Sequence, residues 1–530
     1  MCQTLYNNNY NAAEAPPVPE LKAYEDDGKV VLYWDDRAEN GIYYAKNDDG
    51  TIKTDANGDP VVDHTNDKLT GTNKFQGYKL YKSDDGGVTW GQAISDMKGI
   101  QRGFVPLAIY DKIDAVAGES DARPYFDLGD NTGLKHYFID QNVRSGYEYL
   151  YALLAYDSED SLGALVIPPI ENSIPADPTI PGDNMISIRP RGQAQGTTLG
   201  SADSVATLVA GNTDQLTQRV EVLDPGSTKD ATYEITFTQS EDQGLLFNVK
   251  NTSTGQWART DNLTKVVNWP FYDEVDDNPP VFDGVKVYIT NVDPGIKEFS
   301  FTGSTEILVR YSGIYDVYFP DTYELRWNAD ALNVEGPFGA GPIPFTIYNV
   351  TKDAACQHHY WDNDGTGDFS SGDEVLVIEG DGNLTHIYRI YYDDAPVNGD
   401  VCTVISNSLV TEADKYQFTT KSLKTNTIKE SDLEGIRVVP NPYIFTSPYE
   451  TGKFGGQKEI QFHYLPPECT IRIFNLASDL LQTIEHTNGA PIESWNLRTV
   501  NDQEVSFGIY LYHIEAKGIG EHIGKFAVIK

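Results

Sequence analysis

One short stretch, WDNDGTGDFSSGDEV from Trp361, is dense in oxygen-bearing side chains at a spacing that suits a hard cation. Asp362, Asp364, Thr366, Gly367, Asp368, Ser370 and Asp373 fall at loop positions 1, 3, 5, 6, 7, 9 and 12. Calcium takes about six to eight oxygens, and this spacing can wrap them around one ion while the glycine permits the sharp turn. A structural Ca2+ is therefore expected on Asp362, Asp364, Thr366, Asp368, Ser370 and Asp373, and a solvated acidic turn without an ion is the alternative. A second acidic stretch, NDDGTIKTDANGDP from Asn47, offers Asp48, Asp55, Asn57 and Asp59, but its spacing fits no established loop and reads as a solvated insertion. His358 and His359 are adjacent, so on a strand they point to opposite sides, and no third His or Cys lies at ligand spacing. Nucleophile-elbow, HExxH, phosphate-loop and Cys-His signatures are absent, so no catalytic residue is assigned and the chain is expected not to be an enzyme.

These loops need a scaffold, and 530 residues exceed what one hydrophobic core serves. The chain is 12% aromatic with 33 Tyr, 46 Gly and 28 Pro but three Met, a composition that favours strands over helices. Runs such as TYEITFT, GVKVYITN, YELRWN, PFTIYNV, HIYRIYYD and YQFTTKS alternate apolar with polar and are bounded by Gly, Pro, Asn or Asp, the pattern of sandwiches. The expected fold class is all-β, a tandem of Ig-like or fibronectin type III-like β-sandwich domains.

Forty Lys and Arg stand against 79 Asp and Glu, a formal charge of -39 that repels phosphate backbones and anionic lipid. Nucleic acid is excluded as a partner on that ground. No apolar run reaches the ~18 residues of a membrane span, so no transmembrane segment is expected. Residues 1–16 lack the basic and apolar regions of an export signal, and Cys2 reads either as a lipid-modified mature terminus or as an ordinary cysteine. Cys356 and Cys402 could form a disulfide or remain buried thiols. Trp257, Trp269, Trp327 and Trp361 could stack sugars, although packing is the commoner use of such rings.

The acidic loop resembles a single dockerin-type calcium loop, in which Asp replaces the Glu that ends an EF-hand loop; a second copy and helical flanks are missing. Near the start, a Pro leader, KVVLYW with Val30, Leu32 and Trp34, then GYKLYKS and YEYLYALLAYD resemble a fibronectin type III domain over residues 17–168. That resemblance implies that Trp34 fills the core and that Tyr149 makes the tyrosine corner. Such domains run near about 100 residues, so the surplus is expected in loops, at Ala45–Asn73 and between Gln92 and Leu134.

Residues 436–530 carry IRVVPNPYIF, IQFHYLPPECTIRIFNLASDLLQTIEH, ESWNLRTVNDQEVSFGIYLYHIEAKG and GKFAVIK. This resembles the type A C-terminal sorting domain of the type IX, or Por, secretion system, and parts of it are similar to an Ig-like module of flagellar hook-capping proteins. The matching residues are Pro440, Asn441 and Pro442, the Ile471–Leu476 strand, Trp495, Gly508, Tyr510, Gly524 and Lys525. Gly508 is expected to take a backbone conformation closed to most residues. Ser478 departs from the pattern, which has Gly there, and would be strained if that turn needs φ > 0.

The expected order is a leader at 1–16, a fibronectin type III-like domain with long insertions at 17–168, and a Pro-rich linker at 169–184. A β-sandwich at 185–294, another at 295–430 with the acidic loop, and an Ig-like sorting domain at 436–530 follow, although one large sandwich over 185–430 fits the same runs. The resemblance implies the type IX machinery as partner and an extracellular or outer-surface location. The function expected is a surface or matrix protein acting by adhesion, through glycans, other surface proteins or self-association. A carbohydrate-binding protein of a polysaccharide-capture system and a divergent extracellular hydrolase are the alternatives.

Overall fold

The computed structural model describes all residues except 1–11, 42, 46, 48–52, 54–60, 163–164, 178–181, 212–215, 241–243, 264, 267–279, 292–293, 315–318, 329–342, 380–381, 445–457 and 530. Cys2, Trp269 and the second acidic stretch's Asp48, Asp55, Asn57 and Asp59 lie outside the described residues. The described chain is all-β, its regular elements antiparallel sheets for the most part, with Glu430–Gly435 the one helical element, a 3-10 turn. Among the described residues no helix is long and apolar enough to cross a membrane.

The first sandwich faces a three-stranded sheet, Leu21–Asp26, Lys29–Trp34 and Tyr137–Asp140, with a four-stranded one ordered Met185–Ile188, Tyr149–Asp157, Phe75–Ser83, Ala108–Asp111. Between them Trp34, 1% exposed, packs edge-on to Tyr78 at 5.9 Å, with Leu32, Leu80, Tyr151 and Leu153 around it. The Tyr149 hydroxyl accepts a hydrogen bond from the Arg144 amide at 3.0 Å, the backward reach to the preceding turn that defines a tyrosine corner.

Strands here are buried on both faces, which simple alternation does not anticipate. Val31 and Tyr33 leave the core on the far side of the sheet and meet Tyr24, Leu223 and Val281, joining the first sandwich to the second. Leu150, Ala152 and Leu154 likewise turn away from the core and are covered by Tyr81 and Trp90.

Two expected boundaries are corrected. The segment read as a linker at 169–184 closes the first sandwich: the Asn172 amide donates to the Ala155 carbonyl at 3.0 Å, the Leu153 amide donates to Asn184, and Met185–Ile188 pairs with Tyr149–Asp157. Pro169 and Pro175 are tolerated because this stretch runs along a sheet edge, where ladder donors are needed only at intervals. The span 295–430 is also not one unit. Lys415–Lys421 pairs with Ala231–Ser240, and Tyr416 and Phe418 lie in the second core with Ile235, Phe247 and Val287. The third sandwich, Ile296 to Ser406, is thus inserted before the last strand of the second.

That third unit is one curled eight-stranded sheet ordered Ile296–Phe301, Val401–Ser406, Thr322–Trp327, Phe345–Asn349, Ala354–Trp361, Glu374–Ile378, Leu384–Tyr392, Ile307–Ile314. Its thiols Cys356 and Cys402 are free and buried, and burial pushes both up to about 12. In the terminal sandwich Arg437–Val439, Ile460–His463 and Ile492–Trp495 face a five-stranded sheet that includes Cys469–Asn475, Gly508–Ala516 and Gly520–Ile529. Its core already includes Leu433, so the unit begins slightly before residue 436.

Candidate functional site

The acidic loop is the hairpin between Ala354–Trp361 and Glu374–Ile378. Phe369 anchors it by inserting into the third core against Phe345 at 5.3 Å and Tyr360 at 5.7 Å. Gly365 and Gly367 take left-handed φ values of 74° and 87°, which a side chain would resist. The polypeptide therefore curls back on itself, and ligand atoms of Asp362, Asp364 and Asp373 come within 4.8 Å of one another.

Backbone amides hold those carboxylates. Asp362 accepts from the Gly365 amide at 2.7 Å and the Gly367 amide at 2.8 Å, and buried Asp373 accepts from Asn363 at 2.7 Å and Ser370 at 2.8 Å. Hydrogen bonds from the Ser370 hydroxyl, then from Thr366, draw the Asp364 carboxyl down to about 2, so it is ionised at any ordinary pH. Of the six residues expected as ligands, three converge as carboxylates. Ser370 reaches Asp364 through its hydroxyl at 2.7 Å, and Thr366 spends its hydroxyl on the Asp368 carbonyl at 3.0 Å. Asp368 is exposed and outside the converging group. The donor set is all oxygen and mostly anionic, which fits a hard divalent cation, and Asp362 Oδ2 and both Asp373 oxygens each accept a single amide bond and so keep a lone pair for an ion.

His358 is buried on the inner side of its strand while His359 faces the other side, edge-on to Trp361 at 5.2 Å. Trp327 is a core ring and Trp257 is 53% exposed.

In the terminal sandwich Asn441 and the closing strand that holds Gly524 and Lys525 meet at one edge of the five-stranded sheet, whereas Cys469–Asn475 lies further in and Trp495 belongs to the facing sheet. Asn441 donates through Nδ2 to the Lys525 carbonyl at 3.3 Å and accepts from the Ala527 amide at 3.1 Å. Directly after Pro442, Tyr443–Ile444 pairs in parallel with Val528 and Ile529. Peptide bonds before Pro440 and Pro442 are cis. Tyr510 stacks on Phe526 at 5.5 Å, and Gly524 passes beneath the Tyr512 ring, where a Cβ would overlap it. Gly508 does not take the special conformation expected: it opens its strand opposite Val528 with no positive φ and open space around it, and nothing in the structure explains its identity. Ser478 does adopt φ 68°, so a non-glycine residue occupies a left-handed turn.

No protein-family model matches this sequence, and no curated protein does. Among solved structures the chain is similar to PorZ, a surface component of the type IX secretion system of Porphyromonas gingivalis, at 11% identity and a TM-score of 0.17, over 98% of this chain and 52% of that one. It is also similar to the FN1–FN3 domains of chicken CNTN1, at 8% identity and a TM-score of 0.13, over 98% and 100%. A third is dimeric latent PorU from Porphyromonas gingivalis, at 9% identity and a TM-score of 0.13, over 68% and 35%. The chain spans about half the length of PorZ. Superpositions this slight carry no argument about mechanism.

Sequence reasoning did not anticipate an open cleft on the first sandwich lined by Trp90, Gln92, Asn142, Arg144 and Tyr147. Its walls come from segments far apart in the chain, and no local motif marks them.

Proposed function

We propose that this chain is a secreted cell-surface or extracellular matrix protein, exported by type IX secretion and acting by adhesion or assembly rather than by catalysis. One observation carries the reading: Asn441, between two prolines, is bonded on both sides to the closing strand that holds Gly524 and Lys525. A signal assembled from both ends of a sandwich exists only once that domain has folded, so the machinery would read the folded domain rather than a linear motif. The net charge of -39 supports an extracellular location, since it keeps a folded chain dispersed in salty surroundings.

The test is cell fractionation with two variants. The intact chain is expected outside the outer membrane, and a chain ending before Glu430 in the periplasm. Asn441→Ala, an exposed change that removes both bonds to the closing strand, is expected to lower surface display several-fold. Full display of the truncated chain would reject the reading.

The same reading gives the third sandwich a structural calcium ion on Asp362, Asp364 and Asp373, whose role is to neutralise three converging carboxylates and fix the hairpin. At free calcium about 100 times its dissociation constant the ion would add about 2.7 kcal/mol of stability. Unfolding midpoints with calcium and with chelator are expected to differ accordingly, and Asp364→Asn to abolish the difference. Identical midpoints would remove the ion from the account.

A further inference from the structure

The insertion between Ser83 and Ala108 is folded. Ala93–Ser95 pairs with Gln101–Phe104 in a hairpin, and Trp90 packs with Tyr81, Leu150 and Leu154 on the outer face of the four-stranded sheet. Between this hairpin and the turn from Asn142 to Tyr149 lies a cleft of about 920 Å3, the size of a small-molecule site. Trp90 lines it, and the half-buried Tyr147 ring stacks on Tyr149 at 6.3 Å. The Arg144 guanidinium sits 5.7 Å from the Tyr147 ring, while Gln92, Asn142 and Asp84 add amides and a carboxylate.

We propose that this cleft binds a neutral oligosaccharide, with a sugar ring against Tyr147 and hydroxyls bonded to Arg144, Gln92, Asn142 and Asp84. Charge selects against a polyanion: the chain carries -39, and the cleft holds cations and carboxylates together. Backbone bonding selects against an extended peptide. The Val105 amide already donates to Gln92 at 2.8 Å and the Leu107 amide to Leu80 at 2.7 Å, and Pro106 between them has none to give, so this wall offers no donors for an added strand. A pyranose needs what remains, a flat apolar face and a ring of donors and acceptors of both kinds. Gly91 makes the wall: at φ 108°, it passes so close to the Val105 carbonyl that a Cβ would overlap it.

The inference rests on the reading of the chain as displayed outside the cell, where polysaccharide is met. Its test is titration of the intact chain with cellohexaose, xylohexaose, mannohexaose and galactohexaose, with hexagalacturonate as the anionic control and an unstructured hexapeptide as the peptide control. At least one neutral hexaose is expected to bind, and Tyr147→Ala to weaken it about tenfold, the scale of one aromatic contact. Arg144→Ala removes an exposed side chain while leaving its backbone bond to Tyr149, so the fold and melting temperature are kept and the affinity falls by a comparable factor. No binding by any neutral hexaose, binding that survives both substitutions, or preference for either control would overturn the proposal. Fractionation tests display separately: a surface-located chain that binds no sugar rejects the cleft alone, and a sugar-binding chain held in the periplasm rejects the display reading alone.

Discussion

Acidification from pH 7 to pH 4 is expected to cost the third sandwich about 3 kcal/mol through one side chain, His386. The imidazole is fully buried, 5.0 Å from the Tyr323 ring and 5.6 Å from Tyr388, with Nδ1 2.6 Å from the Thr385 hydroxyl. Burial, and after it the nearby Lys352 cation, hold its pKa down to about 3. In the unfolded chain the ring takes up a proton near about pH 6.5. Between those values the unfolded state binds more protons than the folded one, so stability is complete above about 6.5 and drains away as pH falls toward 3. Carboxylates elsewhere add their own acid sensitivity, so the informative quantity is a difference. Urea midpoints of the native chain and of His386→Gln, each at pH 7 and pH 4, are expected to show the variant losing about 3 kcal/mol less on acidification. Equal losses would mean that the folded chain admits the proton. His463, buried in the terminal sandwich and lowered to about 4 mainly by burial, adds the same sign of effect there.

Legibility in the sequence followed the distance over which each feature is built. Thr322–Trp327 alternates buried and half-buried residues as its letters suggest, because one face meets the core and the other is open to solvent. Lys29–Trp34 and Tyr149–Asp157 do not: their second faces are covered by Leu223 and Val281 in one case and by Trp90 in the other, residues no local window contains. The rhythm of YQFTTKS announced a strand, but its partner, Ala231–Ser240, lies a whole inserted domain away, and periodicity says nothing about which sheet a strand joins. Four prolines in 169–184, with Pro168 just before them, suggest a linker, whereas an edge segment needs so few ladder bonds that it can carry Pro169 and Pro175. The acidic loop could be read because its converging groups lie within twelve consecutive residues. The sugar cleft could not, since its floor, hairpin wall and tyrosine wall come from separate stretches, of which only the hairpin falls where surplus loop is expected.

Val31→Asp is expected to part the first sandwich from the second without unfolding either, because the side chain occupies the seam and not a core. Val31 is 3% exposed and packs with Tyr24, Tyr33, Leu223 and Val281, whereas its neighbour Val30 lies beside Trp34 in the first core. An unpaired carboxylate in that seam costs about 3 kcal/mol or more, and the cheapest relief is separation, which returns it to water. Separation also breaks the bond of 2.7 Å from the Tyr33 hydroxyl to Asp224, the polar pin of the same seam. Small-angle scattering should show a larger radius of gyration, and calorimetry should show the first sandwich melting apart from the second. Val30→Asp, by contrast, should abolish the first transition altogether. A Val31→Asp chain with native dimensions and native melting would mean that the seam does not hold the two domains together. The outcome bears on function, because a displayed protein presents its cleft at an angle set by this seam, and a loosened seam would leave affinity for a free sugar intact while weakening attachment to a polymer under load.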